Sequence, residues 1–216
     1  MNKYILTIIG LFVSIYMQAD VISSSSEDLK VSLLKKEAQV VHTAYEIFQK
    51  DFLRVYGANV KKSNEADVFI GTLGNGSVAE SNIDVQMVEE LKKHREGFLL
   101  QVKGGKLYVL GADKRGTAYG ILELSRMIGV SPWEWWADSP IEKKERFCLE
   151  EGFTKLDYPS VKHRGIFIND EDWGMMPWSG QTYEPSDRAG NIGPKTHARI
   201  FELLLRLRAN TFWPAM

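Results

Sequence analysis

The chain has 216 residues, of which 44% are hydrophobic and 25% are charged, a composition typical of a globular protein with one or two domains. Its formal net charge of -1 argues against a nucleic-acid partner and against an anionic membrane surface, since both require a strongly basic face. Cys148 is the only cysteine, which excludes an intramolecular disulfide and a cysteine metal cluster. We expect it to be a buried, inert thiol.

Residues 1–19 have the features of a signal peptide. Lys3 supplies a positive charge, residues 4–17 form an apolar run too short to span a bilayer comfortably, and Ala19 offers a small residue for cleavage. A membrane anchor is the alternative interpretation of this run. We expect a secreted or periplasmic protein with no membrane span after cleavage, and a flexible leader at residues 20–29.

Residues 30–150 are predicted to form a small α+β domain. The hydrophobic spacing predicts, in chain order, a strand at 30–35, a helix at 37–56, a strand at 66–73, a helix at 84–96, strands at 98–103 and 106–111, and a helix at 115–128. Gly104-Gly105 is typical of a two-residue hairpin turn. This order predicts a mixed sheet with helices on one face.

Residues 158–216 are predicted to start a second unit, after a connecting strand at 147–149. The pattern indicates a buried strand at 163–170, a long loop, a helix at 194–209 with Pro194 in its first turn, and a strand at 210–216. This is one βαβ unit, for which we expect a right-handed crossover. Two parallel strands make neither a closed barrel nor a covered sheet, so we expect the chain to be a truncated, N-terminal part of a longer protein.

Several short motifs give little indication of a bound group. Residues 74–79, "GNGSVA", match a dinucleotide fingerprint formally, but residues 77–82 have the composition of a loop where that fingerprint requires a helix to begin. We therefore interpret the motif as a glycine-rich turn. The histidines lack paired metal spacing, and the calcium-like stretch from Asp170 has Gln181 where a glutamate is required. We therefore expect no cofactor and no metal.

Tryptophans interrupt the pattern between the two units, in "SPWEWWADSP" at residues 131–140. Packing at a domain junction is one interpretation of these side chains. The other is a wall on which sugar rings stack, because indole faces suit the C–H faces of a pyranose.

Polar residues follow the strand "GIFI" directly, in "NDEDWG" at residues 169–174. A solvated loop is one interpretation. The position favours a polar binding site, because the cluster opens a loop of about 23 residues, and such long loops are usually functional or disordered. In β/α barrels the chemistry lies at the carboxyl ends of the strands.

Three segments carry a resemblance to a known family: residues 111–138, residues 159–174 and residues 190–216. They resemble glycoside hydrolase family 115, whose members are α-glucuronidases that remove glucuronic acid or its 4-O-methyl ether from xylan. The "GxDxRGxxYGxxxLS" pattern in the first segment is less specific. It is also similar to the N-terminal domains of family 67 α-glucuronidases and family 20 hexosaminidases.

The resemblance implies an α+β N-terminal domain like hexosaminidase domain 2, followed by the first βαβ unit of a (β/α)8 TIM barrel. It implies a catalytic acid and base beyond Met216, so we expect the chain alone to be inactive. It also implies glucuronoxylan or aldouronic oligosaccharides as partners, with a homodimer as a possible full-length assembly. The substrate-binding residues we predict are Asn169, Asp170, Glu171, Asp172, Trp173 and Trp213. The alternatives are a non-catalytic carbohydrate-binding protein and another barrel glycosidase.

Overall fold

The computed structural model describes residues 27–168, 174–186 and 190–214. The elements of the first domain are β1 Leu29–Leu33, α1 Gln39–Tyr56, β2 Val60–Lys62, β3 Val68–Thr72, α2 Val78–Asn82, α3 Val85–Lys92, β4 Phe98–Lys103, β5 Lys106–Gly111, α4 Lys114–Met127 and β6 Thr154–Asp157. The elements of the second unit are β7 Gly165–Phe167, α5 Met175–Trp178, a π-helical turn Ser179–Tyr183, α6 Pro194–Arg206 and β8 Thr211–Trp213. Within these described ranges, no helix has the length and hydropathy needed to cross a bilayer.

The first domain is built on a six-stranded sheet with the order β2-β1-β3-β5-β4-β6. Strands β2, β1, β3 and β5 are parallel, whereas β4 is antiparallel to both of its neighbours, β5 and β6. The prediction of a mixed sheet with helices is therefore confirmed. β6 lies at residues 154–157 rather than at the predicted 147–149, and it extends this sheet along β4.

Helices cover both faces of the sheet, so the prediction of helices on one face is wrong. On one side, Leu100 and Val109 pack with residues of α1 and α4. On the other, Leu99 and Leu110 pack with residues of α2 and α3. The physical reason is visible in "LYVL" at residues 107–110, a continuous apolar run rather than an alternating one, which is the pattern of a strand buried on both faces.

The local signals for turns and helix ends agree well with the structure. Gly57 ends α1 in the left-handed region with φ 71°, and Gly104 and Gly105 form the hairpin turn with φ of 60° and 69°. Residues 77–82 were predicted as loop, which is wrong. The Ser77 side chain accepts a hydrogen bond from the Glu80 backbone N–H and starts α2. Cys148 is exposed, which corrects the prediction of a buried thiol.

Helix α4 lies unusually close to the rest of the first domain. A Cβ atom on Gly116 would come within 2.0 Å of the Gly97 carbonyl oxygen, and one on Gly111 within 2.0 Å of the Thr117 nitrogen. The Asp113 carboxylate caps this helix by accepting from the N–H groups of Arg115 and Gly116. Gly111 and Gly116 of the "GxDxRGxxYG" pattern are thus explained by close backbone packing.

The second unit has a small parallel sheet, in which Gly165 pairs with Thr211 and Phe167 with Trp213. Helix α6 connects the strands and contacts α4. Its side chains Ile200, Leu203 and Leu204 are buried, and Leu205 packs against the core of the first domain. All three residues of β7 are exposed, whereas the sequence predicts a buried strand. The apolar pattern does form a strand, but among the described residues only β8 pairs with it.

Candidate functional site

The carboxyl ends of β7 and β8 meet at one edge of the small sheet, which we term the strand-end edge. The two strands are parallel, and the Ile168 N–H extends the pairing by donating to the Trp213 carbonyl at 3.0 Å. The rings of Phe167 and Trp213 lie 5.4 Å apart between centroids, and Trp213 is 67% exposed. An exposed indole at this edge offers an apolar face to a ligand.

Most of the predicted binding residues follow β7. Asn169, Asp170, Glu171, Asp172 and Trp173 lie outside the described residues, and their predicted role stays a prediction. Trp213 is the member of the set that the structure describes, and it lies at the strand-end edge as expected from its place in β8.

The residues directly after this polar segment, Gly174 and Met175, line an aromatic cleft of about 540 Å³. We define the aromatic cleft by its lining residues: Trp135, Trp136, Asp138, Gly174, Met175 and Trp178. Residues from "SPWEWWAD" in the first domain and from the loop after β7 therefore line the same cleft. The sequence predicted a long loop without secondary structure, but α5 and the π-helical turn lie within it.

The tryptophans of the cleft pack against one another as well as lining it. Trp135 and Trp136 meet edge-to-face with centroids 4.9 Å apart, and Trp178 stacks on Tyr183 at 5.1 Å. The Trp136 indole N–H donates to the Arg199 carbonyl oxygen at 3.2 Å. The packing interpretation of "SPWEWWAD" therefore holds for Trp135 and Trp136, whereas Trp133 is 46% exposed. The half-buried rings of Trp135 and Trp136 keep apolar surface open to the cleft.

Asp138 brings a carboxylate to this apolar cleft, and sequence reasoning did not single it out. It is an exposed non-glycine residue in the left-handed region, with φ 46°. Aspartate tolerates this conformation better than most residues, but it still costs free energy, and such residues concentrate at functional sites. Aromatic faces beside a carboxylate suit a ligand that has both C–H faces and hydroxyl groups.

The nearby carboxylate of Glu184 has a structural role instead. It accepts hydrogen bonds from the backbone N–H groups of Lys195 and Thr196 and from the Thr196 hydroxyl, so it caps the start of α6. Desolvation opposes its ionisation, yet the hydrogen bonds from Thr196, Lys195 and Ser179 outweigh that effect and hold the pKa of Glu184 below its ordinary value. With these donors in place, Glu184 fixes the loop between the cleft and α6.

The glycine-rich turn and two of the histidines make contacts within the fold. The Gly74 N–H in the glycine-rich turn donates to the Glu80 carboxylate at 3.0 Å, so an acid occupies the place where a phosphate would be expected. The His94 ring stacks on Tyr158 at 3.5 Å, and His197 Nδ1 lies 3.0 Å from the Gly193 carbonyl oxygen. In the part of the chain that the structure describes, no group of three or more potential metal ligands converges.

Comparison with a family model gives a match at the C-terminal end of the chain. The model of glycosyl hydrolase family 115 matches residues 156–216, which include the second unit. A search of curated proteins gives no significant match.

Among solved structures, the chain is similar to BtGH115A, described as a family GH115 4-O-methyl-α-glucuronidase with specificity for decorated arabinogalactans. The two share 51% sequence identity with a TM-score of 0.85, over 90% of this chain and 26% of that one. The chain therefore spans about a quarter of the length of this relative.

Two more distant structures share the fold alone. One is a GH138 enzyme described as targeting pectin rhamnogalacturonan II, with 16% identity and a TM-score of 0.54 over 88% of this chain and 19% of that one. The other is a GH20 exo-β-N-acetylglucosaminidase from Vibrio harveyi, with 12% identity and a TM-score of 0.50 over 89% of this chain and 24% of that one.

The family match covers the second unit, and the similarity to BtGH115A extends it over the first domain. The resemblance read from the three sequence segments is thereby confirmed: this chain belongs to glycosyl hydrolase family 115.

Proposed function

We propose that the chain is the N-terminal part of a secreted α-glucuronidase that hydrolyses α-1,2-linked glucuronic acid, or its 4-O-methyl ether, from glucuronoxylan. The observation that carries this proposal is the 51% identity to a 4-O-methyl-α-glucuronidase over 90% of the chain. Identity at that level over both units supports a shared reaction, whereas the distant neighbours support only a shared fold.

The second unit is proposed to be the first βαβ unit of a (β/α)8 barrel. The parallel pairing of β7 with β8 and the helix α6 between them support this, because such a barrel repeats this arrangement. The strand-end edge then corresponds to the face where barrel enzymes carry out their chemistry. Asn169, Asp170, Glu171, Asp172 and Trp173 would reach that face from the end of β7.

The aromatic cleft is proposed to hold a sugar ring beside the reacting residue. Trp135 and Trp178 offer apolar faces to pyranose C–H groups, and the Asp138 carboxylate can accept hydrogen bonds from hydroxyl groups. Glycoside hydrolysis needs a pair of carboxyl groups flanking the scissile bond. We place that pair in the remainder of the enzyme, so this chain contributes substrate contacts and alignment.

The substrate of the relative gives a second candidate. BtGH115A is described as specific for decorated arabinogalactans, and this chain shares half of its residues with the matching part of that protein. A uronic-acid cap on arabinogalactan presents the same sugar on a different backbone. We therefore rank decorated arabinogalactan directly after glucuronoxylan.

The test is uronic-acid release by the full-length enzyme from glucuronoxylan, from aldouronic oligosaccharides and from decorated arabinogalactan. We expect release of glucuronic acid or its 4-O-methyl ether, with glucuronoxylan or its oligosaccharides preferred. Preference for arabinogalactan would select the second candidate. Binding without release from any of the three would refute the proposal and support a non-catalytic carbohydrate-binding protein. The 216-residue chain alone is the matched control, for which we expect no release.

A further inference from the structure

The first domain holds the second unit through three buried carboxylates, Asp51, Glu96 and Glu123, each no more than 2% exposed. Each pairs with one arginine of the second unit: Asp51 with Arg206, Glu96 with Arg164, and Glu123 with Arg208. Charge-assisted hydrogen bonds of this kind are strong and directional. The attachment between the two parts therefore depends on specific polar geometry in addition to the apolar packing of α4 on α6.

Two of these pairs fix the end of α6. The Arg206 guanidinium forms a fork with Asp51, with nitrogen–oxygen distances of 2.7 and 3.0 Å. Arg208, in the turn after the helix, donates to Glu123 at 2.6 Å. These contacts place the helix on the first domain but leave the strands to be fixed by another group.

Glu96 differs from the other two because it contacts the start of both strands. Arg164 precedes β7 directly, and its Nη2 atom lies 2.5 Å from Glu96 Oε2. Asn210 precedes β8 directly, and its side-chain amide donates to both Glu96 oxygens at 3.1 Å. Arg115 from α4 donates to Oε1 at 2.9 Å. We call these four residues the Glu96 junction.

The two strand-start residues of the junction also bind each other. The Arg164 N–H donates to Asn210 Oδ1 at 3.0 Å, and the N–H groups of Asn210 and Thr211 donate to the Arg164 carbonyl at 2.8 and 2.9 Å. The Arg164 Nε atom donates to the Arg208 carbonyl at 2.8 Å. Glu96, Arg164 and Asn210 therefore all contact one another, and these contacts define how β7 is aligned with β8.

The backbone around Glu96 is built to present this carboxylate. Glu96 itself has a positive φ of 57°, which costs a non-glycine residue free energy. Its N–H donates to Asp113 Oδ2 at 2.9 Å, and Gly116 leaves room for the adjoining Gly97 carbonyl. Tyr119 donates its hydroxyl to the Ala209 carbonyl at 3.0 Å, beside Asn210. Much of the "GxDxRGxxYG" pattern thus serves this junction.

We infer that Glu96 is a positioning residue for the strand-end edge: by holding Arg164 and Asn210 together, it fixes the register of β7 against β8. A shift of one residue would turn every side chain of a strand to the opposite face. Trp213, the last residue of β8, pairs with Phe167 and depends on that register for its placement at the strand-end edge. The kinetic part of the inference rests on the proposed function, whereas the register itself does not.

The kinetic test uses the full-length enzyme with Glu96→Gln, Asn210→Ala and Arg164→Lys. The control is Glu90→Gln, the same change at a partly exposed glutamate of α3 that pairs with Lys93 and His94. At a temperature where each variant remains folded, we expect Glu96→Gln to lower kcat at least ~10-fold with KM changed less than ~3-fold, because misalignment affects the reacting bond more than remote binding. Arg164→Lys keeps the charge but loses the guanidinium N–H groups that bind Glu96 and the Arg208 and Val161 carbonyls at the same time, and should follow Glu96→Gln. The control should match the wild type.

A second readout does not depend on the activity. Hydrogen exchange at the amides of Ile168 and Thr211, both held by the β7–β8 pairing, should become at least ~10-fold faster in Asn210→Ala and Glu96→Gln, while β4 amides stay protected. If Glu96→Gln fails to fold, Asn210→Ala decides, since it removes a neutral side chain. Unchanged exchange at both amides overturns the inference, as does a kcat within about twofold of wild type in an active enzyme. If the wild type has no α-glucuronidase activity, the proposed function fails and exchange alone decides on Glu96.

Discussion

The two sheets of this chain contain similar apolar side chains in very different surroundings. In the six-stranded sheet, Leu99 and Leu100 are fully buried, on opposite faces. In the two-stranded sheet, Ile166 is 40% and Phe167 57% exposed. A strand-forming sequence therefore does not determine burial. Burial is determined by the elements that cover the sheet. The first domain covers its sheet with its own helices, whereas the second unit is attached to the first domain mainly through α6 and buried ion pairs.

Among the contacts that attach the second unit to the first domain, those of Glu123 should cause the largest loss of stability when removed. This carboxylate binds Arg126, Lys155 and Arg208, and Glu123→Gln would leave those cations without their charged partner. We expect a loss of about 3–5 kcal/mol in the free energy of unfolding, because removing one partner of a buried ion pair is strongly destabilising. Chemical denaturation of the full-length protein measures it. Glu89→Gln, at an exposed pair with Lys92, should change stability by less than ~1 kcal/mol.

The next largest effect on the free energy of unfolding is expected from the difference in burial between the two sheets. Leu100→Ala in the first sheet should lower the free energy of unfolding by about 2–5 kcal/mol, since it leaves a cavity in a closed core. Ile166→Ala, measured in the 216-residue chain alone, should cost less than ~1 kcal/mol, because its side chain is 40% exposed there. Equal losses in the two variants, measured by denaturant titration, would show that the small sheet is buried as thoroughly as the large one.

The strand-end edge should affect activity rather than stability. In the full-length enzyme, Asp170→Ala or Glu171→Ala should reduce kcat/KM at least ~100-fold, about 2.7 kcal/mol, if the cluster acts in the transition state. Thermal stability should fall far less than in the Leu100→Ala variant. Near-normal kcat/KM on aldouronic acids in both variants would make the cluster structural.

Acid should weaken the attachment before it weakens the apolar core. Burial raises the pKa of Glu123, but hydrogen bonds from Arg126, Lys155 and Arg208 outweigh that effect and lower it from 4.5 to about 2. The folded-state pKa lies below the unfolded one, so this stabilisation is present above pH ~4.5 and is lost as the pH falls toward about 2. Tm measured over that range should drop more steeply in the wild type than in Glu123→Gln.

The smallest effect is expected in the aromatic cleft. Asp138→Asn keeps the size of the side chain and its tolerance of a positive φ, but it removes the charge. We expect KM for an aldouronic oligosaccharide to rise by about 3–10-fold with kcat nearly unchanged, as for a contact made equally in the ground and transition states. An unchanged KM would assign the cleft to packing alone.

The sequence predicted local elements better than it predicted their partners. The helix ending at Gly57 and the hairpin at Gly104-Gly105 follow from short-range backbone rules, and both are confirmed. The exposure of Cys148 and the helices on the second face of the sheet depend on contacts distant in the chain, and the predictions for both were wrong. Residues 77–82 were missed because a single serine cap was enough to start a short helix.

In the candidate site, too, local features could be predicted from the sequence and contacts between distant residues could not. The tryptophans of "SPWEWWAD" could be singled out by composition, and two of them, Trp135 and Trp136, do line a cleft. Asp138 could not, because its left-handed backbone has no signal in the sequence. Nor could Glu96, whose partners Arg164 and Asn210 lie 68 and 114 residues further along the chain. Pairings at such separations are set by the fold, so a one-dimensional pattern does not reveal them.

The three acid–arginine pairs make the first domain and the second unit a matched set. A chimeric enzyme that takes its first domain from a distant glycosidase would bury three arginines, Arg164, Arg206 and Arg208, against a surface lacking their carboxylates. Grafting the domain therefore requires Asp51, Glu96 and Glu123 to be transferred with it. A domain exchange in this protein should therefore keep these three acids and their arginines from the same parent.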